Sequence, residues 1–578
     1  MSKSKQTHVG KPSLECLGED LIQNILCRLP ASAFASAACV SRYWNSTCNR
    51  ILFSSPKLSS AVSFNPSLEG PPPCETPCAQ GYTLVMLNVV LSRAANTVSF
   101  EYVKNHIKEA VNEVINKVLS KPIRPHFALA SIGSSFSLED AYQLITESFA
   151  PEIPVIVNCP EGIIGRDALT DEFLEVQRKV AEGEDHGGAS PDQNVNQGII
   201  LIVGFLPGLK AHILPLFYQE KYQALLIDDF VTGIKEYTSS VSESTSPASI
   251  VLFSGRETDI KPVLQKLDYA FSLDTAIVGD GDSEFLYRSD DRNNITRRSA
   301  AVALLFVKER DKPPGIGETK FHVMLSAGLL PVGSTYKVVA VKCDKSSTWL
   351  TATRNTLDDA LDGQSILDEI YDEFGDRIEA PNFYLGVTKR GRCSGGQEEL
   401  RQQTFLEFHE VLGGDEENLH VNHVGINSGD PFRFYIWNYK AALSSCDDVF
   451  DKLRHLKQDC NCTYDRVGGI VTNGNKREVF GGIVFSCCGR GDSFFGQPGF
   501  DSSPFLENFP GVTFGGTYCH GEIGRGYCSL YGQGNAEGDV PRCSWHAFSA
   551  VYLIMSYTPP LPQSKTASAE PGSSSSNQ

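Results

Sequence analysis

Apolar positions in the first sixty residues recur at helical spacing. Leu21, Ile22, Ile25, Leu26 and Leu29 fall on one stripe that stops at Pro30, a residue without the amide that a helix interior requires. Ser32, of a residue type favoured at helix N-termini, opens a second helix that carries Phe34, Ala37, Val40 and Trp44 on one apolar face. Residues 13–58 therefore read as a compact unit of two or three short helices. So short a unit cannot enclose all these side chains, and part of its surface is expected to be covered by a partner.

Beyond it the pattern changes. Residues 59–80, with the run SLEGPPPCETPC, have the proline and glycine density of a linker. Strands are expected at 82–90, 127–132, 155–158, 198–205 and 248–253. Helices are expected from 102, where Val103, Ile107, Val111, Val114 and Val118 share a face, and at 138–149. The longest apolar run, Ala300 to Val307, reads as a buried strand, far short of the roughly 20 residues that span a bilayer. Segments 131–167 and 252–285 each combine a Ser/Gly turn, a helix and a strand ending in glycine, which suggests a duplicated module. Stretches 181–197 and 238–246 lack periodicity and read as mobile loops. In the last third, strands are expected at 383–387, 432–436, 468–471, 482–486 and 551–555, a helix near 445–457, and a disordered tail over 558–578. No leucine-rich repeat spacing is visible. The fold class expected is α+β or α/β, a small helical unit ahead of a large mixed body.

Composition narrows the function classes. With 69 acidic against 51 basic residues, the net charge of −18 repels nucleic acid and anionic membrane surfaces. The opening basic residues have no apolar run behind them and fail as a secretory signal, so the protein is expected in the cytoplasm, the nucleus or both. The 17 cysteines are scattered without a Cys-x-x-Cys pair, so reduced thiols are expected. Cys487, Cys488, Cys519, His520, Cys528 and Cys543 lack the two close ligand pairs of structural zinc. They read as small apolar side chains, and no metal or cofactor is expected.

The N-terminal pattern resembles an F-box. Its features are Leu17, Glu19, Leu21, Ile22, Ile25, Leu26, Leu29 and Pro30, followed by Val40, Ser41, Arg42 and Trp44, with Gly18 where the family usually has proline. The match covers under a tenth of the chain. It implies three short helices that bind a Skp1-type adapter through Leu17, Leu21, Ile22, Ile25, Leu26, Leu29, Pro30, Val40 and Trp44, and through it a cullin scaffold and a RING subunit. The body resembles a FIST domain pair, on AGLLPVGSTYKVVAVK at 327–342, GGIVFSCCGRGDSFFGQ at 481–497 and FPGVTFGGTYCHGEIG at 509–524. That resemblance implies an N-type lobe over 81–345, a C-type lobe over 346–557 and small-molecule sensing with no reaction attached.

The same C-terminal block has readable chemistry. Arg490 at a glycine-flanked turn with Gly491 presents a guanidinium suited to a carboxylate or phosphate. Glu522, beside Gly521 in a second open turn, suits an ammonium or a salt bridge to Arg490 itself. A Cys488 nucleophile with His520 as base needs a third group to orient the histidine, and the sequence shows none. No catalytic residue is assigned. The expected function is the substrate-recognition subunit of a Skp1–cullin–F-box ubiquitin ligase, holding an unidentified protein substrate for ubiquitination and degradation. The alternative is a sensor whose small ligand gates partner binding.

Overall fold

A computed structural model describes residues 19–64, 106–167, 169–177, 198–219, 224–256, 258–288, 299–344, 347–354, 360–374, 383–395, 399–422, 424–461, 476–526 and 542–560. The expected strands at 82–90 and 468–471, the loop at 181–197, Leu17, most of the expected linker and nearly all of the tail lie outside these residues.

The N-terminal helices are α1 (Glu19–Leu26), α2 (Ala31–Ala38) and α3 (Arg42–Phe53). Glu19 and Asp20 in the first turn of α1 suit the positive end of its dipole. Ser41 caps α3 by accepting the Trp44 amide. The start expected near Ser32 is shifted: Pro30 is the N-cap, extended at ψ 155°, its carbonyl accepts the Phe34 amide at 2.8 Å, and α2 begins at Ala31.

The body repeats one plan three times. The first unit is β1 (Lys57–Phe64), α4 (106–118), β2 (Phe127–Ile132), α5 (Leu138–Glu147), β3 (Val155–Cys159), β4 (Gly162–Arg166), β5 (Phe173–Gln177) and β6 (Gly198–Phe205). The second is β7 (Leu209–Gln219), β8 (Ala224–Leu225), α6 (Ile227–Val241), β9 (Ser249–Ser254), α7 (Lys261–Ala270), β10 (Ala276–Asp280), β11 (Glu284–Arg288) and β12 (Ser299–Lys308). The third opens with β13 (Glu318–Ala327) and then makes an excursion. Strands β14 (Leu329–Cys343), β15 (Ser347–Arg354), β16 (Phe383–Gly395), β17 (Glu399–Gly414), β18 (Leu419–Asn422) and β19 (Pro431–Trp437) form a closed barrel, with helix α8 (Gly363–Phe374) packed against it. The unit resumes with α9 (Tyr439–Asn461), β20 (Glu478–Cys487), the short α10 (Asp492–Phe495) and α11 (Ser503–Asn508), β21 (Thr513–Cys519), β22 (Glu522–Gly526), β23 (Arg542–His546) and β24 (Ser549–Thr558).

The sheet orders make the repetition explicit: β1-β6-β2-β3-β11, β8-β7-β12-β9-β10-β22-β23 and β13-β24-β20-β21-β4-β5. In each, one pair is parallel: β2 with β3, β9 with β10, β20 with β21. Its outer neighbour is antiparallel and comes from a different unit: β11 on β3, β22 on β10, β4 on β21. The two segments singled out from the sequence are thus two members of a set of three. The third copy carries longer strands and a different crossover, which hides it from inspection of the sequence.

The inner faces of the three sheets meet in one core, where Phe127 and Ile200, Val251 and Val302, and Ile483 and Leu553 are all buried. Each outer face lies under helices, so β6, β9 and β12 are sealed on both sides and read as continuous apolar runs. Sheet one is covered by α4, α5 and the N-terminal helices together: Ile22, Leu26, Phe34 and Leu52 share a cluster with Val111, Val114 and Val203. The Ala31 amide donates to the Leu119 carbonyl at 2.9 Å, and the Phe53 and Phe205 rings stand 5.6 Å apart.

Three expectations change. Residues 59–64 are not linker, nor 57–58 part of the helical unit, but strand β1 (Lys57–Phe64), paired along its whole length with β6. Two of its serines are buried and bonded, Ser63 donating to Glu113 at 2.6 Å and Ser60 to the Arg166 carbonyl. Residues 238–241 are not loop but the last turn of α6, with Thr238 fully buried on its inner face. The boundary expected at 345/346 falls between two neighbouring barrel strands, while strands on either side of it share sheets.

Leu26 has no exposed surface and Ile25 is 44 % exposed. Leu26→Ala is expected to lower the unfolding free energy of the full chain by about 2–5 kcal/mol, and Ile25→Ala by no more than about 0.5 kcal/mol. Urea titration compares them; equal losses contradict a core shared by the helical unit and the body.

Candidate functional site

In open α/β sheets, ligand sites form beyond the carboxyl ends of the strands. Here the carboxyl ends of β9, β10, β20 and β21 converge under the barrel around a cleft of about 400 Å³. That size suits a small molecule. Arg256, Asp282, Cys488 and His520 stand on the sheet side, Tyr384 and Glu410 on the barrel side, and Trp545 and Phe548 close the flank.

Two tight turns, after β10 and β21, build the sheet side, and the turn after β3 stands behind them. The Gly281 amide donates to the Gly521 carbonyl at 2.7 Å, and the Glu161 amide to the Tyr518 carbonyl at 3.0 Å. A side chain on Gly521 would place its Cβ 1.9 Å from the Trp545 indole nitrogen, so the turn requires glycine. Asn158 donates to the buried Asp280 at 3.3 Å. Burial pushes the Asp280 carboxyl up to about 7.

These turns bring a thiol, an imidazole and a carboxylate into line. Cys488 Sγ lies 3.4 Å from His520 Nδ1, and His520 Nε2 lies 3.8 Å from Glu161 Oε1. Arg256 Nη2 holds the same Glu161 oxygen at 3.2 Å. Beside this row the Cys487 thiol is raised well above its ordinary value, first by its hydrogen bond with Cys488 and then by burial. Lys261, pushed down to about 8 by burial, donates to the Phe408 carbonyl at 2.8 Å and ties α7 to the barrel.

The expected ligand turns resolve differently. Arg490 is fully buried and its partner is Asp501, not Glu522: Nη2 donates to Oδ1 at 2.6 Å and Nε to Oδ2 at 2.8 Å. Its remaining contacts are the Phe548 carbonyl, Ser326 and Cys446. The guanidinium therefore fastens β13, α9 and the turn before β24 together and offers nothing to solvent. Gly491, at φ +121°, allows the chain to turn into α10. Glu522 is buried too, accepting from the Ser549 amide at 3.1 Å and hydroxyl at 2.7 Å, with its carboxyl held well above the ordinary range by burial. The cleft begins one or two residues away, at Cys488, Gly489 and His520. Glu161, Arg256, Tyr384 and Trp545 were not foreseen, since no local pattern joins residues this far apart. Among the described residues, no three His, Cys, Asp or Glu side chains stand close enough to share a metal.

A second surface lies at the N-terminal end. Of the apolar residues expected to meet an adapter, Ile22 and Leu26 are sealed in the core, and Leu29 and Trp44 pack against it. Helical periodicity places them on the stripe, but the body claims that side. Leu21 (50 %), Ile25 (44 %) and Val40 (65 %) face outward, as does Pro30.

Arg490→Met leaves the Asp501 carboxylate buried without its counter-ion and is expected to cost about 3–5 kcal/mol, as is usual when one partner of a buried pair is removed. Urea unfolding measures it, and a loss under about 1 kcal/mol contradicts the assigned role.

Comparison with known proteins matches the F-box domain to residues 14–55. An F-box/LRR-repeat protein of Arabidopsis thaliana is 36 % identical over 557 residues, covering 94 % of each chain. Among the described residues the body of the present chain is three sheets and a barrel, not a stack of leucine-rich repeats. No helix among the described residues is long and apolar enough to cross a membrane. On the helical unit it carries and on a likeness that runs almost end to end, the chain belongs to the F-box protein family.

Proposed function

We propose that this chain is the substrate-recognition subunit of a Skp1–cullin–F-box ubiquitin ligase. The observation that carries the reading is the division of the F-box: one side is built into the core of the body, while Leu21, Ile25 and Val40 stay exposed on the other. Exposed apolar side chains grouped on a small helical unit mark a docking surface. The chain itself makes and breaks no bond in ubiquitin transfer. It holds an adapter at one end and a protein substrate on the body, raising the substrate's effective concentration at the E2 carried by the RING subunit. The body, with its glycine turns and repeated sheets, is read as the pair of FIST lobes.

Leu21→Asp with Val40→Asp should abolish co-purification of a Skp1-type adapter and cullin while leaving thermal unfolding of the chain within about 2 °C of wild type, because both positions are exposed. Retention of the adapter by this double variant sinks the assigned face.

A second reading, that a small ligand gates partner binding, is favoured by the cleft under the barrel, whose walls come from two units and the barrel at once. A ligand there holds these parts together and raises the melting temperature by mass action. Protein-free cell extract should shift melting upward by several degrees; fractions that leave it unchanged count against gating.

A further inference from the structure

We propose that Cys488, His520 and Glu161 form a nucleophilic thiol centre in the cleft, which captures a small α,β-unsaturated carbonyl compound as a thioether. The proposal does not depend on adapter binding. Its geometry is that of an activated nucleophile: thiol to imidazole 3.4 Å, imidazole to carboxylate 3.8 Å, and the carboxylate itself fixed by Arg256 at 3.2 Å. The backbone of Cys488 is pinned on both sides, its amide donating to the Cys519 carbonyl at 2.8 Å and its carbonyl accepting from Gln177. The Glu161 side chain is 12 % exposed while that of His520 is 52 % exposed, so the orienting carboxylate is enclosed and the imidazole is open to solvent.

The surroundings choose the reaction. The amides of Gly489 and Phe548 are turned onto the sulfur of Cys487, so these two donors are not aimed where the oxyanion of an acyl transfer would sit. Addition needs no such oxyanion hole. Tyr384, Trp545 and Phe548 supply flat apolar walls for a conjugated ligand, and Arg256 stands at the rim beside them to meet its carbonyl oxygen. In the step, the Cys488 proton passes to His520 Nδ1 and sulfur bonds to the β-carbon. The π electrons move to the α-carbon, which takes the proton back from His520. Every atom of both reactants is retained in the adduct, and no oxidant is consumed. The charged groups around His520 are Glu161, Asp280, Asp282 and Arg256; Cys488 also faces Cys487, Cys519 and Tyr384.

The full-length protein carries its own controls, because Cys27, Cys39 and Cys343 are exposed. Limiting N-ethylmaleimide, followed by site-resolved mass spectrometry at pH 6.5, should label Cys488 about tenfold faster than Cys343. His520→Ala should remove that advantage and leave the Cys343 rate unchanged, with Glu161→Gln in between; 2-cyclohexenone should give the corresponding adduct at Cys488. Equal rates at Cys488 and Cys343 in the wild type overturn the proposal, as does an advantage that survives His520→Ala. If a variant unfolds, seen as labelling of the buried Cys543, the wild-type rates at Cys488 and Cys343 decide by themselves.

Discussion

Each of the three sheets ends on a strand lent by another unit, and the remainder of the structure follows from that exchange. β11 leaves the second unit for the first sheet, β22 the third for the second, and β4 the first for the third. A sheet lacking its borrowed strand exposes a row of unpaired backbone groups beside the buried central strands. No unit is therefore complete alone, and the inner faces are held around one core to which all three contribute. The turns leading into β11 and β22 border the cleft, and the turn leading into β4 packs behind them. The same connections that close the body thus carry Glu161, Asp282 and His520 to one place.

The F-box is mounted on this body without a hinge. Helix α3 runs into β1 across only the residues between Phe53 and Lys57, and β1 is an edge strand of the first sheet. The apolar residues on the inner side of α1 and α2 belong to the same cluster as α4. Under the proposed function, the orientation of an adapter and scaffold relative to the cleft and the barrel is then set by packing, which matters for an assembly that works by position.

Much of this was legible in sequence wherever the signal is local. The apolar runs at 127–132, 198–205 and 300–307 became strands with nearly the expected limits, because strands sealed on both faces are apolar throughout. The F-box stripe was equally readable, but which of its positions face outward depended on a body the stripe does not mention. Where polar residues fill buried positions, the signal fails: Ser60, Ser63 and Thr238 look like loop and lie inside. The site was half legible. Cys488 and His520 could be paired on paper, whereas Glu161 arrives from a strand exchanged between units and has no local mark. Arg490 was read as a ligand-facing guanidinium or a partner of Glu522, yet it is buried against Asp501 across the α10 loop and serves the scaffold.

The most direct test of a single body with a built-in F-box is native-state hydrogen exchange on the free, full-length chain. The amides of α1, α2 and α3 should exchange with the protection of α4 and β6, opening together with them as one unit. Rapid exchange confined to α1–α3, with α4 and β6 still protected, would show instead an F-box that moves on its own and contradict the shared core.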